Sequence, residues 1–180
     1  GFDVSGIEIS KVESEEARKL GFTVYNKKLE KCELKAETFD IVTMWDLIEH
    51  VTDPDSLIKE TNKILKKRGL LVINTPNYNS FLRKILRKKW PNFLRGHLYY
   101  FSPKTIKKIL EKNNFSVIKI KSKSRIMKLE NLNDWLKNYK SLYFFSNVII
   151  GKSFLKNIKV RINLYDNMLI YAKKNECCIN

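Results

Sequence analysis

The chain has 180 residues, of which 43% are apolar, and it carries a formal net charge of +16 at neutral pH. This length supports one domain with a hydrophobic core and is too short for two ordinary domains. No apolar run approaches the ~20 residues that a membrane-spanning helix needs, and no signal peptide opens the sequence.

The distribution of charge and the cysteines indicate which partners and which redox environment the protein has. Lysines outnumber arginines and are spread along the chain, which is typical of a solvated surface, whereas a nucleic-acid footprint is marked by clustered charge. Nucleic acid and peripheral contact with an anionic membrane stay open as partners. The three cysteines fit neither a disulfide framework nor a metal site, so we expect a cytoplasmic, reducing environment.

The first 38 residues predict a strand, a helix and a second strand. Residues 2–10 are predicted to form the N-terminal strand of this chain, which ends at Glu8 and Ser10. A carboxylate at a strand end can accept two hydrogen bonds from a ribose diol, and Ser10 can also cap the helix that follows. After a strand at 22–25, residues 26–38 predict a loop in which Leu29 is a candidate contact for a flat ligand ring.

Residues 39–54, FDIVTMWDLIEHVTDP, predict the centre of the site. The first seven are nearly all apolar and predict a strand buried on both faces of a parallel sheet. Asp46, Glu49 and His50 follow where this strand stops, at the carboxyl edge where ligands bind in open α/β sheets. Asp53 caps the next helix.

The next elements alternate as an α/β fold requires. A helix over 57–65 is predicted to end with the cations at 66–68 and Gly69, and a buried strand follows over 70–74. A helix between two strands makes them parallel, so both end at the same sheet edge. The crossing over 78–101 is basic and aromatic, has the length of a lid or binding loop, and contains His97.

The C-terminal part of the chain predicts a helix that begins after Ser102, then an edge strand over 115–120. We expect a single domain over 1–180, with a core at 1–125, a helical insertion or cap at 126–163 and a last strand at 164–173. The basic amphipathic stretch in 126–163 favours packing over the sheet edge, with a membrane-surface role as the alternative.

Four segments taken together, GFDVSGIEIS, FDIVTMWDLIEHVTDP, ILKKRGLLVINTPN and GHLYYFSPKTIKKILEKNNF, resemble class I S-adenosylmethionine-dependent methyltransferases. The resemblance covers roughly residues 1–120 and the last strand. It implies a Rossmann-like α/β fold, with a seven-stranded sheet, helices on both faces, a reversed last strand and S-adenosylmethionine as cofactor. The cofactor-binding residues that it implies are Glu8, Ser10, Leu29, Thr43, Met44 and Trp45, and those facing the substrate are Asp46, Glu49, His50 and His97.

One departure from this family concerns its first strand and glycine-rich turn, which cradles the methionine end of the cofactor. Both should precede residue 1, and neither Gly6 nor Gly21 belongs to such a turn. We therefore expect a chain truncated at its N-terminus, in which the strands that should flank the first strand have unpaired edges.

His50 and His97 are the two histidines, and three interpretations of them stay open. Together with Asp46 and Glu49 they resemble the divalent-metal set of small-RNA 2′-O-methyltransferases, and similar spacing occurs in ubiquinone-pathway O-methyltransferases. Without a metal, His50, His97 and Asp46 are candidates for acid–base catalysis. The third interpretation is that the histidines only stabilise the local fold.

Three functions follow from these interpretations. The favoured one is O-methylation of a small molecule, such as a sugar, a lipid-linked sugar or a quinone-like acceptor. The second is methylation of RNA, with the basic surface contacting phosphates. The third is a catalytically inactive, truncated methyltransferase-like binding module.

Overall fold

The computed structural model describes residues 1–123, 125–128, 159–162 and 166–176. Strands and helices alternate through most of this chain, as the sequence predicts. In chain order the elements are β1 (Ser5–Ile7), α1 (Lys11–Lys19), β2 (Thr23–Tyr25), β3 (Phe39–Trp45), α2 (Pro54–Ile64), β4 (Leu65–Pro76), α3 (Phe81–Leu86), α4 (Pro103–Lys112), β5 (Phe115–Ser122), β6 (Arg125–Lys128), β7 (Lys159–Ile162) and β8 (Asn167–Lys174).

The main sheet has the strand order β3-β4-β8-β5. β3 and β4 are parallel, and β8 runs antiparallel to both β4 and β5. The predicted parallel pair and the reversed last strand are therefore confirmed. Because α2 connects the parallel strands, their carboxyl ends meet at one edge of the sheet.

β1 and β2 form a separate parallel sheet of two strands. The described residues therefore do not make one continuous seven-stranded sheet. β1 and β3 each have one edge with no strand partner in the part of the chain that the structure describes. This is the pair of strands that the resemblance places on either side of the family's first strand.

The burial of β3 differs from the prediction. Only Met44 of its seven side chains is fully buried, and Ile41 and Trp45 are about half exposed. An apolar run is typical of a strand covered on both faces, but β3 is the edge strand of the described sheet. Its side chains therefore lack the cover that a neighbouring strand and its helix would provide.

The end of α2 also differs from the prediction. The helix ends at Ile64, and the cationic residues after it belong to β4 rather than to a helix terminus. Phe39 pairs with Leu65, but Ile41 pairs with Leu70, so β4 bulges between these two pairs. Gly69 is required in this bulge because a Cβ there would lie 2.8 Å from the backbone oxygen of Lys66.

Helix capping follows the sequence closely. The Ser10 hydroxyl accepts a hydrogen bond from the N–H of Glu13, and the Asp53 carboxylate accepts one from the N–H of Ser56. Ser102 and Thr105 form a capping box at the start of α4, with Pro103 in the first turn. These contacts join residues three apart in the chain, so they depend little on the rest of the fold.

One core joins the main sheet to α2 and α4, and it supports the carboxyl edge from below. Its buried members come from the strands and from both helices: Met44, Ile48, Ile58, Leu65, Leu71, Ile73, Phe101, Ile106, Leu110, Phe115, Met168, Ile170 and Ala172.

The segment predicted as a helical insertion, 126–163, is described only at its ends. There β6 and β7 pair antiparallel, so these two ends are strands and not helices. Its remaining residues lie outside the described part of the chain, as do Cys177 and Cys178. Among the described residues, no helix has the length and apolar content to cross a bilayer.

Candidate active site at the carboxyl edge of β3 and β4

Polar side chains from β3, β4 and the turn after β3 gather at the carboxyl edge. Asp46 and Glu49 follow β3, while Asn74 and Thr75 lie near the end of β4. Asn74 and Thr75 are fully buried although they are polar. Buried polar groups need partners, and here the partners are the acidic side chains that follow β3.

Asp46 is held by amides from two strands. Its Oδ1 accepts hydrogen bonds from Asn74 Nδ2 at 2.6 Å and from Asn167 Nδ2, on β8, at 3.4 Å. The backbone N–H of Asp46 also donates to the Asn74 carbonyl oxygen at 3.0 Å, and its φ of +47° lies in the left-handed region. The side chain is otherwise exposed, so the carboxylate is fixed in place yet accessible.

Glu49 is 1% exposed. Its Oε2 accepts a hydrogen bond from the Thr75 hydroxyl at 2.9 Å, but its Oε1 is buried with no hydrogen-bond partner. Burial raises the pKa of this carboxyl, and the nearby charge of Asp46 adds to the rise, while hydrogen bonds and the nearby His50 oppose it. An orphaned, buried carboxylate oxygen indicates a place for a proton or a cation.

His50 and His97 meet edge to face, with ring centroids 4.6 Å apart. His50 Nδ1 lies 2.8 Å from the Gly96 carbonyl oxygen, which can only accept, so Nδ1 carries the proton. In neutral His50 this leaves the lone pair on Nε2.

His97 Nδ1 is buried without a hydrogen-bond partner. Burial lowers the pKa of His97, and the neighbouring His50 lowers it further, against a backbone hydrogen bond with Asn92 that raises it. His97 is therefore held towards its neutral form, which is the form that accepts a proton or binds a metal.

One ligand atom from each of Glu49, His50 and His97 lies within 4.8 Å of the other two. This arrangement fits a divalent cation, because two of the three residues have a buried polar atom without a partner. A carboxylate with two imidazoles favours a softer metal, such as Mn²⁺ or Zn²⁺. Asp46 is not a member of this group, which contains three of the four metal ligands considered from the sequence.

The segment that carries His97 is fastened to the turn that carries Glu49. The N–H groups of Leu98 and Tyr99 donate to the Glu49 carbonyl oxygen at 2.8 and 3.1 Å, and the Tyr99 hydroxyl donates to the Thr52 carbonyl oxygen at 3.0 Å. These hydrogen bonds hold the backbone next to His97 against the backbone of Glu49. Sequence spacing alone could not reveal this contact, since these residues are far apart in the chain.

The candidate cofactor residues lie after β1, in a short 3₁₀ turn and on β3. Glu8 directly follows β1, and its Oε1 accepts a hydrogen bond from the Ser10 N–H at 2.7 Å, while the Ser10 hydroxyl caps α1. Leu29 is half-buried in a short 3₁₀ turn.

On β3, Thr43 is exposed, Met44 points into the core and Trp45 is about half exposed. Lys123 Nζ lies 4.7 Å from the centre of the Trp45 ring, so the lysine covers part of one face of the indole.

Sequence reasoning missed three supporting residues: Asn74, Thr75 and Asn167. All three are polar residues next to an apolar run of β4 or β8, and each lies near the carboxyl edge of the main sheet or opposite it in register. A polar residue near the end of a buried strand was the available signal.

An open α/β sheet with a reversed last strand and an acid–imidazole group at its carboxyl edge defines a Rossmann-like protein with a methyltransferase type of architecture. A family model described as a methyltransferase domain matches residues 1–120. The chain therefore belongs to the methyltransferase domain family.

Curated relatives include proteins named ubiquinone biosynthesis O-methyltransferase. The protein from Bartonella bacilliformis is 30% identical over 121 residues, covering 63% of this chain and 48% of its own. The one from Pelagibacter ubique is 31% identical over 135 residues, covering 67% of this chain and 55% of its own. This chain thus spans about half the length of the curated relatives it matches.

Solved structures show the same fold. A Thermotoga maritima protein described as an S-adenosylmethionine-dependent methyltransferase, possibly a histamine N-methyltransferase, superposes with a TM-score of 0.61 at 24% identity, covering 94% of this chain and 72% of its own. An S-adenosylmethionine-dependent methyltransferase from Mesorhizobium loti gives 0.60 at 14% identity, covering 97% and 82%.

Proposed function

We propose that this chain contains the part of the active site that binds the methyl acceptor in an S-adenosylmethionine-dependent methyltransferase. The proposed reaction is methylation of an oxygen atom of a small molecule. The observation that carries the proposal is the group formed by Glu49, His50 and His97 at the carboxyl edge. Family membership supports the reaction class. The names of the relatives favour a quinone-like acceptor over a sugar or a lipid-linked sugar.

The side chains provide a route for the proton that a hydroxyl acceptor must lose. When bound, S-adenosylmethionine supplies a methyl group activated by a sulfonium. His50 Nε2 has its lone pair available because Nδ1 donates to Gly96, so it can take the hydroxyl proton while the new C–O bond forms. Its bond to Gly96 also holds the ring in one orientation.

A divalent cation held by Glu49, His50 and His97 would provide a second way to activate the acceptor. Bound to an acceptor oxygen, it would lower the pKa of the hydroxyl. The buried, unpartnered Glu49 Oε1 and His97 Nδ1 support this ligand set. Titration with Mn²⁺ or Zn²⁺ tests it: binding should be lost in Glu49→Gln and His97→Ala and kept in Asp46→Asn. Loss in Asp46→Asn alone would contradict the three-ligand set.

For the cofactor, we propose that Glu8 receives the ribose hydroxyls. Its Oε2 has no hydrogen-bond partner among the described residues, which leaves it available. The unpaired edges of β1 and β3 suit a further strand between them, with a glycine-rich turn, and residues 1–123 contain no such turn.

Calorimetric titration with S-adenosylhomocysteine tests the cofactor proposal. It compares this chain with a chain that includes any segment encoded upstream in the same reading frame. Binding to either chain supports a methyltransferase. Absence of binding to both would overturn the proposal in favour of an inactive binding module.

Methyl transfer to hydroxylated quinone-like rings, sugars and RNA then identifies the acceptor. His50→Ala and His97→Ala should lower turnover far more than the affinity for S-adenosylhomocysteine, whereas Lys119→Gln, an exposed change on β5, should alter neither. Equal losses of turnover and cofactor affinity would contradict a role on the acceptor side. Preferential methylation of RNA would replace the small-molecule proposal.

A further inference from the structure

Residues 81–98 combine exposed apolar side chains with positive charge. The segment contains six cationic residues and no Asp or Glu. Phe81 is 70% exposed and Ile85 is 59% exposed, and Leu94 and Leu98 are each about half exposed. Several large apolar side chains exposed on one segment are a feature of interaction sites.

Helix α3 presents its apolar and cationic residues on the outside. Phe81 and Ile85 are four residues apart, so they share a helix face. Lys84 on the same helix is exposed, and so is Lys88 in the short 3₁₀ turn that follows it. The opposite side is anchored, because the Arg83 guanidinium lies 3.9 Å above the Tyr78 ring. The exposed apolar face is therefore not turned towards the core.

An aromatic cluster supports this segment from within. Trp90 is buried and packs edge to face against Phe93, with ring centroids 5.2 Å apart, and Phe93 packs in the same way against Tyr100. Tyr78 joins the cluster through edge contacts to Trp90 and Phe93. The exposed side chains of residues 81–98 are therefore attached to a packed aromatic cluster.

We infer that residues 81–98 form a surface that binds an anionic phospholipid bilayer. Exposed Phe, Ile and Leu side chains can enter the boundary between headgroups and acyl chains, while lysine and arginine attract the anionic headgroups. Nucleic acid fits less well, since phosphate contacts use the cations and leave Phe81 and Ile85 in water. Of these two partners, only an anionic membrane would contact both the apolar and the cationic side chains of the surface.

The same segment supplies part of the candidate active site. His97 belongs to it, and Leu98 donates its N–H to the Glu49 carbonyl oxygen. Membrane contact here would bring the site to the bilayer surface, where an acceptor with an apolar tail is concentrated. The membrane contact itself does not depend on which acceptor is methylated, so it is tested without any turnover.

The test is co-sedimentation of the full chain with vesicles of phosphatidylcholine alone or mixed with phosphatidylglycerol. Binding should require phosphatidylglycerol and should weaken as salt is raised. The double change Phe81→Ser with Ile85→Ser should reduce partitioning by about tenfold or more, because two exposed apolar anchors are lost. Lys84→Gln with Lys88→Gln should also reduce it.

Matched controls use residues of similar exposure outside the segment. Phe22→Ser with Ile118→Ser removes two exposed apolar side chains, and Lys27→Gln with Lys28→Gln removes two exposed charges. Both controls should bind vesicles like the unchanged chain, and circular dichroism verifies that all variants fold. Equal effects of segment and control variants would overturn the inference.

A single-stranded RNA oligonucleotide provides the competing outcome. RNA binding that is tighter than vesicle binding and is unchanged by Phe81→Ser with Ile85→Ser would reassign the surface to nucleic acid. Vesicle binding that depends on both the apolar and the cationic pairs supports the membrane surface.

Discussion

Thr75 donates its hydroxyl hydrogen bond to Glu49 Oε2 over 2.9 Å, and both side chains are buried. This is the one hydrogen bond that a side chain gives to the Glu49 carboxylate within the described residues. It ties the end of β4 to the turn after β3, so it positions the acid beside the histidines.

Replacing Thr75 by valine should lower the free energy of unfolding by ~1–3 kcal/mol, because a second buried oxygen of Glu49 loses its partner. Thr75→Ser keeps the hydroxyl and should cost less. Urea unfolding of both variants measures the difference. Destabilisation by serine as large as that by valine would contradict a dominant role for this hydrogen bond.

The raised pKa of Glu49 predicts a pH dependence of stability. Burial, the main cause, moves the folded pKa above the ordinary value of 4.5, so the unfolded chain releases this proton at lower pH than the folded chain. The free energy of unfolding should therefore fall as the pH rises from 4.5 through the raised pKa of Glu49. At higher pH, the contribution of Glu49 to the free energy of unfolding should no longer change.

Glu49→Gln should remove that fall, and the variant should be more stable than the unchanged chain above this window. Urea unfolding at a series of pH values, in the presence of a chelator, measures both. A fall of the same size in Glu49→Gln would assign the pH dependence to another group.

His97 should titrate below the ordinary histidine value of 6.5, since burial and then His50 disfavour its charged form. His50→Ala should raise the pKa of His97, because it removes the electrostatic effect of His50 and opens the His97 ring to water. The imidazole proton resonances of the metal-free chain measure this by NMR, with Lys119→Gln as a control. An unchanged or lower pKa in His50→Ala would contradict the coupling of the two rings.

Lys174 on β8 fastens the end of α2 to the sheet. Its Nζ donates to the carbonyl oxygens of Asn62 and Leu65, each at 2.8 Å, and it lies 3.7 Å from a Glu37 carboxylate oxygen. Lys174→Met should lower the free energy of unfolding by ~1–3 kcal/mol because it leaves buried carbonyls unpaired. Lys173→Met, at the less buried neighbour, is the control in thermal unfolding, and an equal loss there would contradict this role.

Helix caps and strand ends follow from the sequence because they depend on contacts between residues close together in the chain. The caps at Ser10, Asp53 and Ser102 were predictable because each joins groups a few residues apart. The placement of Asp46, Glu49 and His50 at the carboxyl edge was also predictable, because it needs only a strand, its end and the direction of the next strand.

The errors arose where a distant partner decides the outcome. The cations at 66–68 are typical of a helix end, but pairing with β3 and hydrogen bonds from Lys174 draw the chain after Ile64 into β4. The apolar run of β3 indicates two covered faces, yet cover depends on neighbours that no strand sequence contains.

The amino-acid sequence by itself determined the alternation of elements, the starts of α1, α2 and α4, and the placement of Asp46, Glu49 and His50 at the carboxyl edge, because these depend on local hydrogen bonds and periodicity. The tertiary structure alone decided that Asp46 is held by Asn74 and Asn167, that Glu49 is buried against Thr75, and that the rings of His50 and His97 meet edge to face. Those contacts join residues that are distant in sequence, so they depend on burial and on pairing across the sheet.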